Sequence, residues 1–508
     1  MPLFTPSLAT ELIAQKLKDN APMTELEFFA VELMKWKVSP ERAEMLDGDR
    51  YYRGDHDILQ RKRTAIGPDG KLQEVANLPN NRIVDNQYAK HCDQKKNYLL
   101  GKPISFESDN KGYAKAIKSI LGKKFMRTLK NAGEEALNGG IAWLYPYYNQ
   151  TGELTFKLFS AYEILPFWID SDHTELDCAL RFYTGEVYEG KEEKTIEKVD
   201  IFTINGLTTY TLDAGVLTLD PDSPGGSYIA ATGPNGETEY FNWEKLPLIP
   251  IKSNAKEIPL LRRVRQLQDA INLILSDFTN NMQEDVRNTI LVLKNYDGTD
   301  LGEFRRNLST FGAVKVRAVE GAEGGVETLT IEVNSENYST ILKLLKNALI
   351  ENARSYDAKD DRLNGNPNQM NIQSMYSDID LDANDMETEL QASFEDILWF
   401  VNKHLANQGL GEYDGTEINV IFNRDILINE GEAIDNCAKS VGIISDETII
   451  GQHPWTGDPA AELARIQAEK EAAATEVDAY RAAFESTTGG SKKSAIPGEG
   501  PEGGALNE

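Results

Sequence analysis

The chain has 508 residues, too many for one simple hydrophobic core, so we expect about two to four domains. Its 40% hydrophobic and 9% aromatic content is typical of a folded protein. With 53 basic and 81 acidic residues the net charge is −28, which argues against a static nucleic-acid binder, because such binding depends mainly on lysine and arginine at phosphates.

The N-terminal half predicts one α+β domain, from Thr24 to about Ile251. Helices are predicted at Thr24 to Lys37, from Ser39 onward with Pro40 in the first turn, and at Asn81 to Leu100 and Lys124 to Asn138. After Gly139-Gly140, β-forming residues alternate or cluster between turn signals, which predicts strands at Ala142 to Tyr148, Leu154 to Phe159, Ala179 to Tyr183, Lys198 to Ile204 and Thr208 to Leu212.

The second half predicts two helices separated by a small α/β insert. The first helix carries a narrow apolar seam at close to heptad spacing: Leu260, Val264, Leu267, Ile271, Ile274, Phe278 and Met282. Strands are predicted at Thr289 to Leu293, Ala313 to Ala318 and Glu327 to Val333, with a short helix at Leu301 to Leu308. The second helix starts near Ser335 and places Tyr338, Ile341, Leu345 and Ala348 on one face.

A polar loop with Gly365 and Pro367 follows, from Ser355 to Asn371. A third long helix is predicted from about Ile372 to Gln408, and then a short strand from Glu417 to Phe422. The C-terminal region predicts helices at Asn429 to Val441, Asp446 to Ile450 and Asp458 to about Phe484. The Gly- and Pro-rich segment from Gly489 to Glu508 should be disordered.

Several kinds of chemistry have no motif in this chain. Gly122-Lys123-Lys124 lacks the upstream glycine and the hydroxyl of a phosphate-binding loop, and no GxSxG, HExxH or GxGxxG occurs. The five histidines are scattered and favour structural roles. Cys92, Cys178 and Cys437 lie far apart and predict no disulfide framework, which fits a reducing compartment. We expect no enzyme activity, no cofactor, no signal peptide and no membrane span.

One carboxylate cluster leaves two interpretations open. Asp378, Asp380, Asp382, Asn384 and Glu389 occupy positions one, three, five, seven and twelve of a calcium-binding loop. Ala383 stands where that loop needs glycine. The favoured interpretation is a solvated helix start, because acidic side chains suit the positive end of a helix. The alternative is a metal-dependent nuclease or phosphotransferase.

Three segments carry a family resemblance: Tyr51 to Ile58 (YYRGDHDI), Asn80 to Asn86 (NNRIVDN) and Tyr98 to Ile104 (YLLGKPI). They resemble the portal proteins of tailed double-stranded DNA bacteriophages, most closely those of long-tailed phages of Gram-positive hosts. Ile444 to Ile449 and Asp458 to Glu462 are similar to the C-terminal crown of that family.

The resemblance implies an α+β portal fold that forms a dodecameric ring at one capsid vertex. The implied parts are a wing (1–251), stem helix one (252–285), a clip (286–333), stem helix two (334–354), a tunnel loop (355–371), a long wing helix and strand (372–428), a helical crown (429–487) and a disordered tail (488–508). Implied partners are double-stranded DNA in the channel, the terminase large subunit, head-completion or adaptor proteins, and the major capsid and scaffolding proteins. The chain would reside in the virion, and in the host cytoplasm during assembly.

The resemblance also assigns residues. In the tunnel loop, Asp357, Lys359, Asp360, Asp361, Arg362 and Asn364 would face DNA. The apolar seam suits packing within and between subunits, and the expected assembly residues are Leu260, Val264, Leu267, Ile271, Ile274, Ile341 and Leu345. Arg262, Arg263 and Arg265 favour a solvated face or inter-subunit salt bridges over DNA contact. A ring-forming adaptor without DNA passage remains a second alternative.

Overall fold

The computed structural model describes residues 23–66, 70–75, 78–189, 191–223, 225–232, 236–285, 290–294, 302, 325–329, 335–357, 369–424, 429–456 and 459–488. The chain divides into two compact units. The first comprises Met1–Ala358 and Met375–Ile426, and the second comprises Lys359–Ser374 and Leu427–Glu508.

Eight helices account for most of the described helical residues outside the C-terminal region. They are α1 Glu25–Lys37, α2 Pro40–Tyr52, α3 Gln87–Leu100, α4 Lys111–Ile120, α5 Lys123–Gly139, α6 Leu261–Asp285, α7 Ser335–Asn352 and α8 Gln369–Asn407. Capping explains two of the starts. Thr24 and Glu27 form a reciprocal capping box at α1, and the Ser39 side chain accepts from the Arg42 amide with Pro40 in the first turn of α2.

The strands form small antiparallel sheets. They are β1 Thr64–Ile66, β2 Leu72–Glu74, β3 Ser105–Glu107, β4 Ile141–Tyr148, β5 Leu154–Phe159, β6 Ile164–Trp168, β7 Leu176–Glu189, β8 Glu192–Thr203, β9 Gly206–Asp213, β10 Val216–Leu219, β11 Ile229–Thr232, β12 Thr238–Phe241, β13 Ile249–Lys252, β14 Ile290–Lys294, β15 Gly325–Leu329 and β16 Asn419–Ile421. The largest sheet has the order β10-β9-β8-β7-β6, and a second has the order β13-β4-β5. Strand β16 pairs with the distant β3.

Aromatic side chains fill the core around the largest sheet. Phe28, Phe29, Leu33 and Trp36 of α1 pack on it, for example against Phe167 of β6. A second cluster joins the two larger sheets, where the rings of Trp143 and Trp168 stack at 5.7 Å. Burial of large rings on both sides makes these sheets a rigid body.

The predicted helix at Asn81 to Leu100 is wrong over its first six residues. Helix α3 begins at Gln87, because the Asn86 side chain caps it by accepting from the Ala89 amide at 3.0 Å. The preceding residues, 78–86, contain no helix or strand. The other helices predicted before residue 260 are confirmed, with small shifts of their ends.

The predicted insert between the paired helices is described only in part. Strands β14 and β15 form an antiparallel hairpin in which Ile290 pairs with Leu329 and Lys294 with Gly325. These strands confirm the first and last predicted strands of the insert. The strand predicted at Ala313 to Ala318 lies outside the described residues, as does the short helix at Leu301 to Leu308 except for Gly302.

The C-terminal helices are α9 Glu430–Ser440, α10 Asp446–Gln452 and α11 Pro459–Thr488, as predicted. Asn429 and Ser445 cap the first two through their side chains. In the part of the chain that the structure describes, no helix is long and apolar enough to cross a membrane.

Candidate functional site at the base of the paired helices

Helices α6 and α7 pack together through their apolar sides. Leu267, Ile271 and Leu275 of α6 share a cluster with residues of α7, and the rings of Phe278 and Tyr338 meet at 5.0 Å. Among the predicted seam residues, Leu260, Val264 and Ile271 are buried within the chain, Leu267, Ile274 and Leu345 are half-buried, and Ile341 is 47% exposed. The seam therefore serves mainly to hold one chain together.

A second buried face of α6 is polar. Gln268, Asn272, Ser276 and Asn280 recur every fourth residue, and none is more than 1% exposed. Buried polar side chains need hydrogen-bond partners, since an unpaired one costs free energy. Their partners lie in the irregular segment before α3.

Side chains on this face accept hydrogen bonds from backbone amides of the segment. Asn280 accepts from the Asn81 amide at 2.7 Å, Ser276 from Ile83 at 3.0 Å, Asn272 from Asp85 at 3.0 Å and Gln268 from Tyr88 at 2.9 Å. The spacing of the first three contacts matches because four helical residues rise about 6 Å and two extended residues span about 6.6 Å; the last step, from Asp85 to Tyr88, takes three residues as the chain enters α3. We call these four α6 residues and the amides that they bind the polar ladder.

His56 extends the polar ladder into the helix-rich part of the first unit. Asn272 donates to His56 Nδ1 at 2.7 Å, so Nε2 carries the proton and donates to the Tyr51 carbonyl at 3.0 Å. The Tyr51 ring stacks on the imidazole at 4.4 Å, and its hydroxyl donates to Asp269 of α6 at 2.8 Å. Burial lowers the pKa of His56, which keeps the ring neutral. The predicted structural role of this histidine is confirmed.

One carboxylate joins four helical segments at the base of the pair. Asp382 of α8 accepts from Lys95 of α3 at 2.8 Å, from Arg263 of α6 at 2.9 Å and from Arg354, just beyond α7, at 2.8 Å. Lys95 is 5% exposed and also donates to the Arg354 carbonyl at 3.0 Å. Burial disfavours the charged carboxylate, but Lys95 and Arg263 outweigh it and hold the pKa of Asp382 below its usual value.

Two other members of the carboxylate cluster, Asp380 and Asn384, are also engaged by a cation. Arg424 pairs with Asp380 and with Glu387, each at 2.7 Å, and it donates to Asn384. Positions three, five and seven of the candidate calcium loop thus face guanidinium or ammonium groups, which repel a metal ion. Asp380, Asp382 and Asn384 are thus already bound by basic side chains of the same chain, which argues against the metal-dependent alternative.

The basic cluster at the start of α6 forms salt bridges within the chain. Arg262 contacts Glu44 at 3.4 Å, and Arg265 contacts Asp47 at 2.7 Å and Asp57 at 3.0 Å. Together with the Arg263–Asp382 pair, these contacts are salt bridges within one chain, where the sequence predicts a solvated face or salt bridges between subunits.

Helix α7 ends in a tight turn immediately before the predicted tunnel loop. The Arg354 amide bonds to the Glu351 carbonyl and the Ser355 amide to the Ile350 carbonyl, with Arg354 at a φ of 47°. Glycine usually occupies a position with this backbone conformation. Two contacts hold Arg354 in it: the Arg354 carbonyl accepts from Lys95, and its side chain pairs with Asp382. Of the predicted DNA-facing residues, Asp357 is half-buried; Lys359, Asp360, Asp361, Arg362 and Asn364 lie outside the described residues.

Sequence reasoning missed the polar ladder. The signal was present, because amides and a hydroxyl recur at Gln268, Asn272, Ser276 and Asn280 beside the apolar seam. A four-residue polar repeat on a buried helix indicates a polar partner strand, but the partner itself is about 190 residues away. The pairing of the buried Lys95 with Asp382 was missed as well, since the two residues lie 287 positions apart.

Comparison with known proteins gives one consistent answer. A family model described as "Phage portal protein, SPP1 Gp6-like" matches residues 37–476. The portal protein of Bacillus phage SPP1 is 28% identical over 462 residues, covering 90% of this chain and 89% of the relative. The portal protein of Clostridium phage phiCD119 is 28% identical over 433 residues, covering 82% and 90%.

The chain therefore belongs to the SPP1 Gp6-like family of phage portal proteins. A chain of a solved structure titled "Neck of empty GTA particle computed with C6 symmetry" aligns with 11% identity and a TM-score of 0.37, over 71% of this chain and 87% of its own. A score that low does not establish a common fold, so the family assignment depends on the sequence matches.

Replacing Asn272 with leucine should lower the free energy of unfolding by about 2–5 kcal/mol, because the Asp85 amide and His56 Nδ1 both lose a buried partner. Gln266→Leu on the exposed side of the same helix is the control, and it should change stability by no more than about 0.5 kcal/mol. Urea denaturation of both variants measures the difference. Equal stabilities would show that the polar ladder contributes nothing net.

Stability should fall in mild acid through His91 of α3. This side chain is 1% exposed, its Nδ1 bonds to Gln94, and its Nε2 has no partner among the described residues. Burial lowers the pKa of His91 to about 4, against about 6.5 in an unfolded chain. Between those values the unfolded chain binds a proton that the folded chain does not, so stability is present above pH 6.5 and is lost as pH falls toward 4.

The loss in the free energy of unfolding between pH 6.5 and pH 4 should reach about 3 kcal/mol, and the substitution His91→Gln should abolish it. Wild type and His91→Gln are compared by urea denaturation at pH 7, 5.5 and 4.5. The variant should gain stability relative to wild type at each step down in pH. Parallel pH curves for the two proteins would contradict the assignment.

Proposed function

We propose that this chain is the subunit of a dodecameric ring at one vertex of a phage capsid, through which DNA is packaged and later ejected. The observation that carries the proposal is the family match over residues 37–476. The pair α6 and α7, which brackets an insert containing the β14–β15 hairpin, supports it as a stem with a clip. The chain is then a structural component of the virion and not an enzyme.

The energy for packaging comes, on this proposal, from a separate terminase whose large subunit docks on the clip. Head-completion or adaptor proteins bind the same ring once packaging ends. The major capsid and scaffolding proteins surround the wing and crown during assembly in the host cytoplasm. The pairing of Asp380 and Asp382 with basic side chains supports a non-catalytic role, because it leaves these carboxylates holding helices together.

The charge of the chain suits passage of DNA. A net charge of −28 per subunit repels phosphates wherever acidic side chains line the channel, although counter-ions screen most of it beyond about 10 Å. Arg262, Arg263 and Arg265, which a static DNA site would use, are neutralised by carboxylates within the chain. DNA therefore slides past the wall and is not held by it.

Contacts between subunits require apolar surface that one chain leaves uncovered. Ile341 and Leu344 of α7 are 47% and 63% exposed and lie three residues apart, so they share one face. Leu273 and Met282 of α6 are 42% and 52% exposed. These four side chains, and not the buried Val264 or Ile271, are the stem residues that we assign to subunit contacts.

Purified protein should form a closed ring of roughly ten to thirteen chains, visible by electron microscopy and measurable by light scattering. Leu344→Asp should leave the chain folded but prevent ring closure, because the new charge faces an apolar neighbour. Ile271→Asp should instead unfold the chain, since Ile271 is fully buried within it. Normal rings from Leu344→Asp would show that this face makes no subunit contact, and a stable monomer of wild type would contradict the ring itself.

Changes in the loop between α7 and α8 should affect DNA movement and not ring formation. Deleting Asp360 to Asn366, or replacing Lys359 and Arg362 with glutamate, should leave rings that enter procapsids, because shortening a polar loop costs little stability. Packaging is measured as DNase-protected DNA per particle, beside ATP consumed. Less DNA per ATP is expected. Wild-type values for both quantities would show that this loop is not the element that contacts DNA, and its site assignment would be dropped.

A further inference from the structure

Three tyrosines meet where the chain leaves α7 for the loop and where it returns along α8. Tyr356 lies at the start of the loop and Tyr376 lies just beyond its end, and their ring centroids are 4.7 Å apart. Tyr376 in turn stacks on Tyr98 of α3 at 5.6 Å, with 17° between the ring planes. We propose that this tyrosine staple, Tyr98–Tyr376–Tyr356, positions the loop that contacts DNA by fixing both of its ends to α3. The inference rests on the proposed function of that loop.

The staple is anchored by more than ring contacts. Tyr98 and Tyr376 are 2% and 3% exposed, so neither ring can turn freely. The Tyr98 hydroxyl donates to Asp380, which Arg424 also binds at 2.7 Å. A buried ring with its hydroxyl held by an ion-paired carboxylate is a rigid support.

The outgoing end of the loop is held by two neighbouring side chains of α3. Gln94 donates to the Tyr356 carbonyl at 3.2 Å, and Lys95 donates to the Arg354 carbonyl at 3.0 Å. Asp382 binds both Lys95 and the Arg354 side chain, and it lies on α8 a few residues beyond Tyr376. Described residues on both sides of the loop therefore contact one helix, α3: Arg354 and Tyr356 on one side, and Tyr376 and Asp382 on the other.

The connection continues from α3 to the stem. Tyr88 at the start of α3 donates its amide to Gln268 of α6, and Asp382 binds Arg263 of the same helix. Movement of the chain at either side of the loop would thus require contacts with α3 to break, and α3 is itself bound to α6. A positioning role of this kind predicts effects on the loop in rings that are correctly assembled.

The test uses full-length rings of four variants. Tyr356→Leu and Tyr376→Leu remove ring contacts of the staple, and Tyr98→Phe keeps the ring but loses the bond to Asp380. Tyr413→Leu is the matched control: Tyr413 is half-buried, as Tyr356 is, and its ring stacks on Tyr113 at 4.5 Å, which is not part of the staple. Only variants that form rings by electron microscopy are carried forward, and Tyr98→Phe is the mildest change.

The direct readout is the rate of trypsin cleavage after Lys359 and Arg362 in assembled rings, followed by mass spectrometry. Loss of one or two aromatic contacts should raise this rate roughly three- to tenfold in Tyr356→Leu and Tyr376→Leu, and less in Tyr98→Phe. The rate in Tyr413→Leu should equal that of wild type. Staple variants that match the control would overturn the proposal.

Packaging provides the second readout and separates the two proposals. Less DNA packaged per ATP in the staple variants, with the control unchanged, supports both the staple and the DNA role of the loop. Faster cleavage with wild-type packaging would support the staple and overturn the role of the loop in DNA movement. Impaired packaging with unchanged cleavage would overturn the staple and leave the proposed portal function standing.

Discussion

The arrangement of the first unit depends on the backbone of residues 81–88, where it crosses α6. Buried amides must bond to something, and in the described part of the chain no strand pairs with this segment. Side chains of α6 supply the acceptors, from Gln268 at one end to Asn280 at the other. Helix α6 is consequently occupied on two sides, by α7 on its apolar side and by this segment on its polar side. Its position against the N-terminal domain is therefore set within a single chain.

Helix α3 is the element that gathers the remaining contacts. Its first turn ends the polar ladder and places Tyr88 in the core shared with α6, and its middle adds Cys92 to that core. Its last turns carry Lys95 and Tyr98 to α8. One side of a single helix thus touches the stem, the end of α7 and the start of the long helix. These contacts explain why α3, which is rich in polar residues, is so deeply buried: most of its buried polar groups have a specific partner.

The charges of the chain divide into two populations. A few basic residues, among them Arg263, Arg265 and Arg424, are held by carboxylates in the interior or at its margin, where pairing has structural value. The acidic surplus remains at the surface, where solvent and salt screen it. In the ring proposed above, Arg263, Arg265 and Arg424 would therefore not be available to hold phosphates, and the acidic surplus would repel them.

The sequence by itself determined the features that depend on near neighbours. Ser39-Pro40 and Asn429 mark helix starts, alternating residues mark β4 and β5, and the heptad seam marks α6, because caps and periodicity act over a few residues. The tertiary structure decided where α3 begins and what the carboxylates of α8 do. The local pattern predicts a helix over residues 81–86, but the Ile83 amide donates to the Ser276 side chain, 193 positions away. The local pattern also makes Asp382 resemble a metal ligand, but in the structure Asp382 pairs with Lys95. Such pairings join residues distant in the chain, and no local pattern encodes which distant groups will meet.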